Sequence, residues 1–182
     1  MLPALFVSHG SPNLIGEDTP GREFLAGLGD SLGRPDAIVV ASAHWETAVP
    51  EFTASAQPET IHDFYGFPEA LYRLRYPAPG NPALATRAVD LLEGAGIPAA
   101  ADARRGFDHG AWSPLLLMYP KADIPVVELS VQPGRSPAHH IAVGRALAPL
   151  REQNILVMGS GGAVHNLRAV EWGRPEIGRA QL

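Results

Sequence analysis

The sequence contains no cysteine. Disulfides, thiolate metal sites and cysteine nucleophiles are thereby excluded, and any bound metal must be held by nitrogen and oxygen donors. It has no basic run either: Lys and Arg number 14 against 19 Asp and Glu, for a net charge of −5. A nucleic-acid or membrane-surface partner would require a Lys/Arg stripe, so neither is expected. No apolar run approaches the roughly 18 residues of a membrane span. The apolar stretch from Leu2 to Val7 lacks a preceding basic region and is interrupted at His9, so it does not read as a secretion signal. The expected location is the cytoplasm. No internal repeat, low-complexity tract or linker divides the chain.

What is present suits one globular domain. With 182 residues, of which 46% are hydrophobic and 18% charged, residues 1–182 read as a single domain able to bury a core. Short Val/Ile-rich segments alternate with longer amphipathic ones. That is the pattern of an α/β protein whose central sheet, largely parallel or mixed, is flanked by helices. Strands are predicted at Ala4–Val7, Ala37–Ser42, Val126–Val131 and Ile155–Met158. Helices are predicted at Gly21–Leu32, Pro82–Ala95, Ala111–Met118 and Ala138–Gln153, with Pro114 either in the first turn of the third or kinking it. Between Glu46 and Pro82 many prolines and glycines break the pattern, and a connection of that length reads as a functional loop or lid.

Three strands deliver a histidine near their carboxyl ends: His9 in LFVSHGSP, His44 in IVVASAHW and His165 in ILVMGSGGAVHN. In an open α/β sheet, residues at the carboxyl ends of different strands converge in one crevice, where ligands bind. Two imidazoles on rigid strand ends suit a first-row divalent metal, and a third can be ligand or acid/base. His109, in RRGFDHGAW, enters from a turn before a helix; Asp108 beside it can fix a neighbour's tautomer, and Trp112 can wall an aromatic pocket. His62 and Tyr65, in TIHDFYGFP, either face a flat substrate or belong to an aromatic loop packed on the surface. His139 and His140 read as surface residues at a helix start. The GSGG turn at Gly159–Gly162 lacks the Lys and spacing of a phosphate-binding loop, and no G-x-S-x-G elbow accompanies Ser8 or Ser11.

Seven stretches, PALFVSHGSP, AIVVASAHW, TIHDFYGFP, YPAPGNPALA, GFDHGAWSPL, MYPKADIPVVELS and GSGGAVHNL, occur in this order from Pro3 toward Trp172. Together they resemble the 4,5-DOPA dioxygenase extradiol family, within the class III extradiol ring-cleavage dioxygenases. The resemblance implies a metal-dependent enzyme that opens a small catechol with O2, using non-haem Fe(II), with Zn2+ as the alternative metal. It implies His9 and His44 as metal ligands, His165 at the metal as ligand or acid/base, and His109 as a catalytic histidine near substrate or oxygen. His62, Tyr65 and Trp112 are the candidates on the substrate side.

Members of that family are longer and take a further metal ligand from a C-terminal segment. Here Glu171 and Glu176 are the only late carboxylates. The expectation is weakened metal affinity and a homo-oligomer whose interface lies near the C-terminal end. Two other readings use the same residues: a zinc-dependent hydrolase with metal-activated water, and a non-catalytic relative that binds an aromatic ligand or a partner chain.

Overall fold

In a computed structural model, which describes residues 1–162, alternation along the central strands decides the architecture. Along β2 (Ala37–Glu46), Ile38 and Val40 join one buried apolar cluster, while Ala37 and Val39 join a second on the other side. Successive side chains of a strand point to opposite faces, so both faces of this sheet must be covered. One is covered by α1 (Pro20–Leu32) and α4 (His109–Met118), and the other by α3 (Pro82–Gly94) and α5 (Pro137–Leu147). Together with α2 (Glu69–Arg73), these are the α-helices of the described residues.

The remaining strands are β1 (Ala4–Val7), β3 (Glu51–Thr53), β4 (Ala100–Asp102), β5 (Val126–Val131) and β6 (Ile155–Ser160). They form one sheet with β2 in the order β1-β6-β2-β5-β3-β4. The pairs β1/β6, β6/β2, β2/β5 and β3/β4 are parallel, whereas β3 meets β5 antiparallel at Phe52 and Leu129. The sheet is therefore mixed. Helix starts carry the caps their sequences offer: Thr19 Oγ1 accepts from the Arg22 N–H, Asn81 Oδ1 from Leu84 and Asp108 Oδ1 from Gly110.

Several boundaries differ from those read in the sequence, most by a residue or two. Strand β2 runs on to Glu46, so His44 lies within it. Helix α4 starts at His109, two residues early, because Asp108 caps it; Pro114 then falls inside the helix and removes the N–H that would bond the Gly110 carbonyl. The last predicted helix is α-helical only to Leu147 and continues as a 3-10 turn over Ala148–Gln153, with Pro149 interrupting the ladder. The excursion from Glu46 to Pro82 contains β3 and α2, which are too short to show a period. Among the described residues, no helix is long and apolar enough to cross a membrane. Beside α5 an apolar groove, bordered by Phe6 and Ile141, runs along β1 and β6 as far as Gly162. Those two side chains are 64% and 55% exposed.

Where α1 crosses α4, a side chain at Gly29 would overlap the Met118 carbonyl. Helix propensity alone would make Gly29→Ala stabilising by about 1 kcal/mol. The crossing reverses the sign, and a loss of about 1–3 kcal/mol is expected in urea denaturation. A stabilised variant would show that the two helices do not approach so closely.

Candidate functional site

On the α1/α4 face, each apolar strand row leads into a polar side chain. Val7 is followed two residues on by His9, Val40 by Ser42 and then His44, and Met158 by Ser160. Period two keeps Val40, Ser42 and His44 on one face of β2 and Met158 and Ser160 on one face of β6. His9 follows two residues past the end of β1, so the rows that build the core also aim the polar groups. His9 Nε2 lies 3.0 Å from His44 Nε2, and His9 Nδ1 lies 2.9 Å from Ser160 Oγ. His109, first residue of α4, brings its ring centre to 3.9 Å from that of His44 and 5.2 Å from that of His9.

Each of the three imidazoles offers one ring nitrogen, and these atoms lie within 4.8 Å of one another. Burial, reinforced by the neighbouring His109 and His44, lowers the His9 pKa from 6.5 to about 4. His9 is therefore neutral near pH 7. Neutral imidazole is the form a metal ion requires, and an all-nitrogen donor set suits zinc or iron. By donor type and spacing, and with His9 neutral, the three residues fit a first-row divalent ion.

Asp63 orients the third imidazole. Its Oδ1 accepts both the backbone N–H and the Nδ1–H of His109, each at 2.9 Å, while its Oδ2 lies 3.8 Å from His44 Nδ1. Burial alone would raise the Asp63 pKa, but the His109 hydrogen bonds prevail and hold it at about 2. With Nδ1 committed as donor, Nε2 of His109 keeps its lone pair. Asp63 is in turn placed by a short ladder: Phe107 N–H donates to the Glu59 carbonyl, Ile61 N–H to the Phe107 carbonyl and Trp112 Nε1–H to the Ile61 carbonyl. The Glu59–Asp63 part of the predicted lid is thus anchored to the strand-to-helix connection.

The remaining candidates take different places. Trp112 is fully buried and holds the loop from beneath. His62 packs edge-on against Trp112 and hydrogen-bonds through Nε2 to the Leu74 carbonyl. Tyr65 is 92% exposed at the loop tip. Phe64, rather than Tyr65, lies against His109, with ring centres 5.7 Å apart. Among the described residues, Asp108 accepts from Ser42 Oγ, Gly110 N–H and Arg105. His165, Glu171 and Glu176 lie outside the described residues. Reading the sequence missed Asp63, which adjoins the chosen His62, because nothing local pairs it with a histidine 46 positions away.

Residues 4–177 match the family model described as the catalytic LigB subunit of aromatic ring-opening dioxygenase. The chain is 52% identical over 172 residues to a 4,5-DOPA dioxygenase extradiol of Escherichia coli K12, covering 94% of this chain and 63% of that protein. A protein of the same description from Beta vulgaris is 48% identical over 164 residues, covering 88% of this chain and 61% of its own. The crystal structure of an uncharacterized Escherichia coli K12 protein aligns with a TM-score of 0.79 at 45% identity, over 96% of this chain and 65% of that one. The chain spans somewhat less than two thirds of the length of these relatives.

Two outcomes are expected from this geometry. Asp63→Asn removes the charged acceptor of two His109 hydrogen bonds and should weaken metal binding by about 10–100-fold in a competition titration. The second concerns pH. The folded pKa of His9, about 4, lies below the unfolded 6.5, so the unfolded chain takes up the proton first. The stability of the metal-free chain should therefore fall as pH drops from 6.5 toward 4, with the Asp63 contribution lost below 3.8 as pH approaches 2. Urea midpoints against pH should show a flatter slope between 4 and 6.5 in His9→Gln.

Proposed function

The chain belongs to the LigB family of aromatic ring-opening dioxygenases, and from that premise we propose that it acts in metal-dependent extradiol opening of a small, DOPA-like catechol by O2. The observation that supports this most directly is the convergence of His9, His44 and His109, with one tautomer of His109 selected by Asp63. Fe(II) bound there would supply the Lewis acidity and redox capacity on which ring opening by O2 depends. His9 and His44 are its proposed ligands. His165 is the proposed additional ligand or acid/base, in keeping with the family resemblance.

His109 is the proposed proton acceptor. Its Nε2 lone pair can take a catechol hydroxyl proton, and the positive charge that results would sit 2.9 Å from the Asp63 carboxylate. The Phe64 ring beside it offers an apolar wall for a flat substrate, while His62 supports Phe64 from a ring distance of 5.7 Å. Tyr65 and Trp112 complete the proposed substrate side, the first from the loop tip and the second by holding the loop in place.

The test is metal titration followed by O2 uptake on a catechol panel. His9→Ala and His44→Ala should abolish metal binding. His109→Ala should keep metal and lower turnover by about 100-fold or more, the range of a lost general base. Loss of metal instead would make His109 a ligand. His165→Ala is read the same way, so the pair of variants assigns both roles. Fe(II)-loaded protein without O2 uptake on any catechol would overturn the reading. Hydrolysis by the zinc-loaded protein would favour the hydrolase, and metal or aromatic-ligand binding without turnover would favour the non-catalytic relative. A cytoplasmic location and a homo-oligomer whose interface lies near the C-terminal end complete the proposal, to be checked by fractionation and light scattering.

A further inference from the structure

Glu128 lies outside the histidine group and is fully buried in the middle of β5. Its Oε2 accepts the Asp108 backbone N–H at 3.0 Å, whereas its Oε1 has no hydrogen-bond donor among the described residues. The cation beside it is Arg105, whose Nη2 stands 2.9 Å from Asp108 Oδ2 but 3.9 Å from Glu128 Oε1. Two buried carboxyl groups thus share one guanidinium, whose carbon lies 5.1 Å from the centre of the Trp45 ring. A second negative charge here would have no counter-ion of its own among the described residues, a costly state for a buried carboxylate. Burial and the neighbouring Asp108 carboxylate accordingly push the Glu128 carboxyl well above the usual range. A proton on the Glu128 carboxyl removes the second charge and supplies a donor toward the Asp108 carboxylate.

Burying an acid where Val126, Val127 and Leu129 fill the same strand does not by itself favour the fold. What distinguishes the position is what Asp108 holds. Its Oδ1 accepts from Ser42 Oγ at 2.6 Å and from the Gly110 N–H at 3.0 Å, and Ser42 Oγ accepts the His44 N–H at 3.2 Å. One chain of hydrogen bonds therefore runs from β5 through the start of α4, where His109 sits, to the backbone of His44 on β2. We propose that Glu128 is a positioning residue for the metal centre: by accepting the Asp108 N–H it braces Asp108 and so fixes His44 relative to His109. This rests on the proposed metal-binding role of those histidines.

The experiment compares Glu128→Gln, which keeps a donor and an acceptor, with Glu128→Leu, which removes both, in the full chain. Three readouts are taken: affinity for Zn2+ by competition titration, the visible spectrum of the Co2+-loaded protein, and imidazole 15N shifts of His44 and His109 without metal. Glu128→Gln should stay within about threefold of the parent with the same spectrum. Glu128→Leu should bind about 10–100-fold more weakly, as disturbed outer-shell support does, with an altered spectrum and altered shifts. A Leu variant matching the parent in all three readouts would overturn the inference, and so would a Gln variant as impaired as the Leu variant. If Glu128→Leu does not fold, Ser42→Ala breaks the same chain one link from His44, and unchanged affinity and spectrum there would overturn the inference equally. If the parent itself binds no metal, the proposed function fails, while the metal-free shifts still decide whether Glu128 positions the imidazoles.

Discussion

The close approach of the first turn of α4 to β2 is the contact on which the rest of the site depends. Gly110 makes it possible: a Cβ there would overlap Ser42 Oγ and crowd the His44 ring. Without that approach, His109 could not stand 3.9 Å from His44 between ring centres, and Asp108 could not reach Ser42 while capping the helix. Sheet and helix are joined through hydrogen bonds as well as apolar packing. Ile38 and Val40 on β2 and Trp112 and Leu115 on α4 share one buried cluster, so the apolar contact sets the layer spacing and the polar contact sets the register.

Three imidazoles this close cannot all be charged. The 3.0 Å contact between His9 Nε2 and His44 Nε2 requires one of the two nitrogens to carry a proton and the other to accept it. A cation taken up between them must therefore take the place of that proton, which moves to another ring nitrogen or leaves. Asp63, held at about 2, is the carboxylate that offsets positive charge at His109 and His44. Burial favours neutral nitrogen, while the Asp63 carboxylate compensates charge that a ligand or a transferred proton brings to His109.

Much of this was legible in the sequence because strand parity ties function to core. The row Ile38, Val40 is visible as a buried strand, and Ser42 and His44 continue it at the same spacing; Val7 and His9 do the same. What parity could not show is pairing across elements. Nothing near Asp63 names His109, and Glu128 within VVELSV reads as one polar letter in an apolar strand. Helix α4 begins ahead of its apolar run because Asp108, an acid beside a histidine in the sequence, serves as its cap. Phe64 and Tyr65 are neighbours of similar chemistry, and only the fold separates the half-buried ring at His109 from the exposed one. Strands β3 and β4, three residues each, carry no pattern at all.

The loop over the site divides into two parts with different mechanical duties. From Glu59 to Asp63 its backbone runs beside Phe107, and Gly106 permits that approach, since a Cβ there would overlap the Glu59 carbonyl. That half must be rigid, because the two hydrogen bonds that select the His109 tautomer depend on the position of Asp63. The tip beyond Phe64 is different: Tyr65 is exposed and Gly66 takes a left-handed φ of 78°, before Phe67 packs back against Phe64. A side chain changed at the tip can therefore alter what meets the crevice without moving the carboxylate beneath it. One changed between Glu59 and Asp63 would disturb the histidines themselves. The aromatic contacts Phe64–His109 and His62–Trp112 join the two halves, so the apolar wall of the crevice and the orientation of its imidazole share one support.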